Sequence, residues 1–566
     1  MSLSGLSALS GLSAMAAGWK RTFYVSASTG ADSNSGLTKQ APWKYHPWDA
    51  NATSVSDGTT LTAGDRVVMK RGDTWWNTYF TTPTTANAAT ILTTSEAGWG
   101  TGDAVLSGAI DPASLTWTAD GGSYKCTRST QPVIVVYNST LLTFASGAGN
   151  TVGANQFDWS SNTLYVNVGE DPSTGVLQAA SKNYVILAQQ NYLTFSNLTL
   201  QCSNTTVGGI AFNSSANHVV FENTVVRWGK KQGIYHNGNG AGNITRACTI
   251  YGISEYGIYL NGAVESSATY NTVSSCLLTG IFLNASSSCT ISNNTVHDCV
   301  EYGITLDGSN SNTVNGNTVY NNGSGVYSTG KGAGIRITAA SSANIISRNY
   351  AYLNYIGIYH NQTSGNGANQ IYYNIIRDST VNGIDDQRDE TGYLLIYNNT
   401  VIHSPSADNN TAYTGHAIAM QAAAKRAKIA NNLVVIQQAI EACNGICVAS
   451  TASNIVEAWL DNNLYFNDSG GAAKYGKFNT TEYTSLADFR TALQGDAKVL
   501  NMAGAGSAAE AHAVDGDPLF ISDATDDYHL SAGSPAIGAG TAVGLGTDFE
   551  GRTVPAAPSI GALEYA

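Results

Sequence analysis

Charge is scarce in this chain: Asp, Glu, Lys and Arg make up 12% of its 566 residues. Against that background the run Asp385-Asp386-Gln387-Arg388-Asp389-Glu390 is dense, and a second irregular stretch, Asn321 to Ala333, carries Tyr327 and Lys331. Residues of these types do proton chemistry. Lys331, Tyr359 or His360 has the character of a base that removes an activated C–H proton, with Arg336 or Arg388 stabilising the enolate that results. Alternatively, two carboxylates divide acid and base work in hydrolysis when they stand about 5 to 9.5 Å apart. Asp385 would then need Asp389 or Glu390 as its partner. The plainer reading of the acidic run is a solvated loop in which Asp386 caps a turn.

A repeat brings these distant residues together. Gly209-Ile210, Gly233-Ile234, Gly257-Ile258, Gly280-Ile281, Gly303-Ile304, Gly334-Ile335, Gly357-Ile358 and Gly383-Ile384 follow one another in steps of 24, 24, 23, 23, 31, 23 and 26 residues. A second landmark is an asparagine opening a short apolar run, at Asn223, Asn294, Asn317, Asn349, Asn374, Asn399, Asn432 and Asn463. Brief β-branched runs at this period, without helical spacing, predict a parallel β-helix. Alternation then puts Ile258 and Leu260 on the inner face and Tyr259 and Asn261 on the outer one. The outward position after each Gly-Ile reads Tyr235, Tyr259, Phe282, Thr305, Arg336, Tyr359, Asp385, and two positions on it reads Asn237, Asn261, Asn284, Asp307, Thr338, Asn361, Gln387.

Coils stack about 4.8 Å apart, so Arg336 and Asp385 fall about 10 Å apart with Tyr359 between them, and Asp307 lies about 14 Å from Asp385. The predicted catalytic set is Lys331, Arg336, His360, Asp385, Asp386 and Arg388. Tyr235, Tyr259, Asp307, Tyr327 and Tyr359 would bind substrate, because aromatic faces beside amides and carboxylates suit sugar rings. Rings that merely stabilise neighbouring coils are an equal alternative. Glu255, Glu301 and Lys231 read as solvated turn charges, and His297 and His416 have no evident partner.

A net charge of −13 and a pI near 5.1 argue against nucleic acid, which demands a basic surface. An acidic polymer would need a locally basic groove or a bridging divalent cation, which makes Ca2+ the one cofactor to consider. Eight cysteines in so long a chain are no disulfide scaffold. Cys276 and Cys299 are expected to stack as buried apolar groups, and the Cys443/Cys447 spacing is too weak to assign zinc. No run is long enough to span a bilayer. Residues 1–18 form a low-complexity leader with no Lys or Arg before its apolar part, read as a flexible or oligomer-forming segment or else an atypical export signal.

Residues 19–100 form an N-terminal cap and first coils, 101–180 a β excursion, 181–468 the main coils, and 469–566 a C-terminal helix with closing coils. The start, with Phe23-Tyr24-Val25, Asp32-Ser-Asn-Ser-Gly36 and Gly64-Asp65-Arg66, and the end, with Asp517-Pro-Leu-Phe520, Asp548-Phe-Glu-Gly-Arg552 and Ile560-Gly-Ala-Leu-Glu-Tyr565, resemble secreted and phage-borne proteins of the pectate-lyase-like superfamily. That resemblance implies an all-β fold: a right-handed, single-stranded parallel β-helix with an N-terminal cap and a C-terminal segment that closes the last coils. It also implies an extracellular or virion-associated enzyme acting on a polysaccharide, a monomer or, if phage-borne, a homotrimer. Elimination on a uronate polymer is favoured over hydrolysis, and a non-catalytic glycan-gripping module is the alternative from another class. Asp385-Asp386 followed by Gly415-His416 is similar to motifs of the polygalacturonase-like hydrolases, whose Asn-Thr-Asp and later Arg-Ile-Lys are missing here in the proper order.

Overall fold

Each turn of the chain is built from three short strands, and one of its three corners has a fixed form. The computed structural model describes residues 18–85, 87–204, 208–323, 332–361, 368–387, 392–403, 415–421, 426–437, 444–448, 455–468 and 474–565. They divide into two units, Met1–Ser254 and Glu255–Ala566. The leader falls almost wholly outside the described residues. No helix among the described residues is long and apolar enough to cross a membrane.

In the second unit three parallel sheets form the walls. Wall A begins with Ser267–Thr269, Thr290–Ser292 and Thr313–Asn315, wall B with Tyr256–Asn261, Thr279–Asn284 and Tyr302–Asp307, and wall C with Thr272–Cys276, Thr295–His297 and Thr318–Tyr320. Each strand pairs in parallel with its counterpart one coil on. On wall B the Gly-Ile register holds throughout: Ile258, Ile281, Ile304, Ile335, Ile358, Ile384, Ile418 and Ile446 are successive partners, and all are fully buried. The column ends at Gly476. A Cβ there would meet the Phe489 ring at 2.3 Å, so an aromatic side chain from helix Leu486–Gln494 fills the place of the next isoleucine. That helix starts on Ser485, whose hydroxyl accepts from the Asp488 N–H, and it buries Leu486, Phe489 and Leu493.

From the strand ending at Thr269 to the strand ending at Asp461 the corner from wall A to wall C takes two residues, such as Tyr270-Asn271, Gly316-Asn317 and Tyr373-Asn374. The first adopts positive φ and the second turns its side chain inward. Asn317 illustrates the result: its N–H and its Nδ2 both donate to Asn349 Oδ1, at 3.0 and 2.9 Å, while Nδ2 also reaches the Ile291 carbonyl at 2.9 Å. The chain of amides runs from Asn271 through Asn294, Asn317, Asn349, Asn374, Asn399 and Asn432 to Asn463. It terminates on Glu510, whose Oε1 accepts from Asn463 Nδ2 at 2.9 Å and from the Tyr465 hydroxyl at 2.6 Å. Asn223 is out of phase with this series. It occupies the positive-φ position and is exposed.

In the first unit three walls of the same kind are built from strands such as Asp65–Arg71, Leu193–Ser196, Gly209–Ser214 and Val225–Gly229. Trp43 stacks on Phe23 at 4.7 Å and its indole N–H donates to the Asn34 carbonyl at 2.9 Å. Between Val105–Ser107 and Ile186–Ala188 the chain leaves the coils for antiparallel sheets, among them Ser123–Thr127, Gln156–Ser160 and Thr163–Asn167, which close over Phe157, Leu164, Val166 and Leu177. Cys276 and Cys299 are buried free thiols.

The tail departs from expectation. Instead of closing only the last coils, it runs back along the outside of wall C, packing Tyr528, Leu530, Ile560 and Leu563 on Ile375, Ile402, Leu433 and Leu464. Those outward aliphatics need cover, and the tail supplies it. Arg348 donates to the Thr547 carbonyl at 3.0 Å, and the Tyr373 hydroxyl to Glu564 at 3.4 Å.

Replacing Asn374 by Ala strands the Asn349 N–H and amide, both of which donate to Asn374 Oδ1. It should cost on the order of 3 kcal/mol, since each buried unpaired polar group costs about 1–3 kcal/mol. Asn223→Gly, outside the amide chain, should stay within about 0.5 kcal/mol of the parent. Denaturant unfolding of both variants measures the difference.

Candidate active site

The outward face of wall B changes character along the second unit. In register after the isoleucines stand Tyr259, Phe282, Thr305, Arg336, Tyr359, Asp385, Ala419, Cys447 and Lys477. Rings give way to polar groups. Arg336 lies over the Tyr302 ring at 4.6 Å and donates from Nη2 to Thr338 Oγ1 at 3.2 Å. The Tyr359 hydroxyl accepts from Asn361 Nδ2 at 2.7 Å and donates to Gln387 Oε1 at 3.2 Å, and Gln387 Nε2 donates to Asp385 Oδ2 at 3.1 Å. Arg336, Tyr359 and Asp385 are thus lateral neighbours on one face, as the repeat predicts.

Asp385 is 1% exposed. Burial pushes its carboxyl up to about 7, against the partial relief of hydrogen bonds from Asn382 and Gln387. Among the described residues its Oδ1 meets no hydrogen-bond partner, nor do Thr305 Oγ1 and Arg336 Nε in the same column. Asn382 pairs in register with His416, whose N–H donates to Asn382 Oδ1 at 2.8 Å. Burial lowers the His416 imidazole to about 3, with Lys477 and His403 adding to the effect, and its Nδ1 meets no partner among the described residues. Buried polar atoms are paired in nearly all folded proteins. A run of unpaired donors and acceptors on one wall therefore marks a surface suited to a polar ligand, and a carboxyl that keeps its proton to near neutrality suits general-acid work.

The sequence expectation needs several corrections. His360 and Asp386 are adjacent, with Nδ1 and Oδ1 2.9 Å apart, but they do not face the groove. They follow Leu306 and Ile337 in the inward column and are fully buried. His360 Nε2 meets Asn369 Nδ2 at 3.1 Å inside the coil. Alternation along the strand fixes this outcome, because a residue next to an outward one faces inward. Lys331, Tyr327 and Arg388, like Asp389, Glu390 and Cys443, lie outside the described residues.

The aromatic column also reads differently. Tyr259 and Phe282 stack on each other at 5.2 Å and 19°, and in the first unit Phe212 and Tyr235 stack at 5.0 Å and 13°. Their faces are turned to one another, which leaves edges, not sugar-binding platforms, toward solvent. Asp307 sits between Asn284 and Thr338, three coils from Asp385. Ca2+ takes six to eight oxygens, several of them carboxylate. Asp385 and the Gln387 amide do not make such a set, and among the described residues no group of three or more His, Cys, Asp or Glu is arranged to hold a metal ion.

Tyr302 and Asn382 belong to the candidate site and escaped the sequence reading, which named His416 without finding its neighbours. The signal was present. Ala417-Ile418 and Gly445-Ile446 continue the repeat, but an alanine replaces the glycine and long connections, 404–415 and 437–443, interrupt the count. In this part of the chain the added length falls between walls C and B or between walls B and A, whereas the A-to-C corner keeps two residues.

Residues 183–351 match the family model for the right handed beta helix region. No curated protein matches the sequence. Among solved structures the chain is similar to XylC in complex with xylose, at 12% identity over 96% of this chain and 99% of that one, with a TM-score of 0.59. It also aligns with a glycoside hydrolase (9% identity, 64% of this chain, 94% of that one, TM-score 0.44) and with pectate lyase Pel9A (14%, 97% and 97%, 0.40). The fold is a right-handed parallel β-helix.

Because the folded-state value of Asp385 is raised, its proton favours the native state. That stability is fully present below the ordinary carboxyl range and is lost as pH rises through about 7. Asp385→Asn should therefore unfold at a higher temperature than the parent at pH 8, with the gap closing toward pH 4. Thermal unfolding across that range measures it.

Proposed function

We propose that the protein is a secreted glycan-active enzyme that hydrolyses glycosidic bonds on the outer face of wall B, with Asp385 as the general acid. The observation that carries this reading is the buried Asp385 carboxyl, held protonated to about 7 with one oxygen that meets no partner among the described residues. A glycosidic oxygen leaves as an alcohol only if it is protonated, and a raised carboxyl is the usual donor. The bond from the anomeric carbon to that oxygen breaks, the Asp385 proton goes to the leaving oxygen, and water supplies the new hydroxyl while its other proton passes to a second carboxylate. A second carboxylate must stand on the other side of the sugar. Asp307 is too distant and Asp386 points inward, so Asp389 or Glu390, just beyond Gln387, is assigned that part. Arg336, Thr305 and His416 would hold substrate hydroxyls.

Elimination on a uronate is the second reading, supported by Arg336 beside Tyr359, a guanidinium next to a phenol. It ranks lower than the sequence alone suggests. His360 is withdrawn from the groove as a base, and burial pushes the Tyr359 phenol up to about 12, which leaves a very small fraction ionised at neutral pH; elimination then needs Lys331, which lies outside the described residues, as its base.

The test is reducing-end release from a panel that includes xylan, arabinan, pectate and alginate, with and without Ca2+, while the ultraviolet absorbance of unsaturated uronate is followed in parallel. Hydrolysis predicts reducing ends without that absorbance, and a loss of about 10²–10⁴-fold in kcat for Asp385→Asn. Unsaturated products would move the assignment to elimination, and neither signal would leave a glycan-gripping module.

A further inference from the structure

A cavity of about 730 Å3 lies wholly within the first unit and contains none of the residues assigned above. Its lining includes the A-to-C corner residues Asn197 and Asn223 of successive coils, the segment ending at Gly102-Asp103, and Trp19. That segment is fixed to the preceding coil. Arg71 Nε donates to the Gly102 carbonyl at 2.7 Å, and the Gly72 N–H donates to the Asp103 carbonyl at 2.8 Å. The approach is so close that a Cβ on Gly100 would meet the Arg71 carbonyl oxygen at 2.0 Å, in a backbone with φ of +82°. The cavity therefore has a built wall.

Its charges are of both signs. Arg66 pairs with Glu96, Glu222 pairs with Arg246, Asp103 accepts from the Thr199 hydroxyl at 3.1 Å, and Arg71 reaches the Gly102 carbonyl. With Arg66 and Arg71 set against Glu96, Asp103 and Glu222, no single sign dominates the lining. What the lining offers is a half-buried indole, amides, and a buried Arg66 Nε without a partner. An indole face takes the C–H side of a pyranose while amides and a guanidinium take its hydroxyls, and the volume is within the range of small-ligand sites.

We infer that this cavity is a second, non-catalytic binding site for a short neutral oligosaccharide, stacked on Trp19 and oriented by Asn223 and Arg66. The ligand class rests on the glycan-active reading. Tetrasaccharides of xylose, glucose, mannose and galactose serve as probes, with binding to the Asp385→Asn protein followed by calorimetry. At least one should bind, and both Trp19→Ala and Asn223→Gly should weaken that binding about tenfold or more. Asn223→Gly keeps the positive-φ backbone, so it tests the side chain even if Trp19→Ala disturbs the fold. In proteins that retain Asp385, both changes should leave turnover of a short soluble substrate unchanged. Binding by none of the four, or binding that both variants leave intact, overturns the site. If turnover is absent from every glycan but binding still depends on Trp19 and Asn223, the catalytic reading falls and this one stands.

Discussion

Register between coils is the constraint on which everything else depends, and the inward asparagine chain enforces it most directly. Each Asn Oδ1 accepts both the backbone N–H and the amide of the preceding coil, as at Asn317 to Asn349. A slip of one residue would move each amide out of line with its partners in a dry interior, at the cost of several unpaired polar groups per coil. The isoleucine column would tolerate neighbouring hydrophobes more easily, since shape-conserving apolar swaps are mild. The asparagines therefore specify the alignment, while the isoleucines provide most of the apolar burial.

With register fixed, wall B can carry what the other walls do not. The A-to-C corner admits two residues because its second residue is committed to the amide chain, so insertions are confined to the two ends of wall B. The same geometry explains the unusual carboxyl. A side chain on the outward face of a regular strand is ordinarily wet, yet Asp385 is 1% exposed and its proton is retained to about 7. The interactions that relieve this burial are amide hydrogen bonds from Asn382 and Gln387, while Asp386 opposes ionisation. Among the described residues no cation partner offsets the loss of solvent, and the proton stays.

The sequence was informative where chemistry and periodicity coincide. Gly-Ile spacing gave the strand phase, the inward isoleucines and the adjacency of Arg336, Tyr359 and Asp385, all of which follow from a constant period of two within strands and a nearly constant coil length. The helix at Leu486–Gln494 was legible from the placement of Leu486, Phe489 and Leu493. What could not be read was depth. The sequence lists Asp385 and Asp386 as equals, although one is outward and the other is inside the coil, and grouping His360 with the groove overlooked the alternation already applied to Ile258 and Tyr259. The tail's course along wall C was also illegible, because Ile375, Ile402 and Leu433 look like any other strand aliphatics until their outward direction shows that they need cover.

The buried pair His360–Asp386 then acquires a structural explanation instead of a catalytic one. A second inward amide series runs through Asn312, Asn344 and Asn369, and Asn369 Nδ2 meets His360 Nε2 at 3.1 Å while His360 Nδ1 meets Asp386 Oδ1 at 2.9 Å. If the Asn369 amide donates to Nε2, the proton on that imidazole must sit on Nδ1 and point at the carboxylate. The series thus ends on an acceptor that can take a charge-assisted bond, much as the other chain of amides ends on Glu510. In both places a carboxyl group terminates a line of oriented amides at the point where the next coil offers no asparagine. Polar residues inside this solenoid are continuations of its register, and those on the outer face of wall B are the ones left over for chemistry.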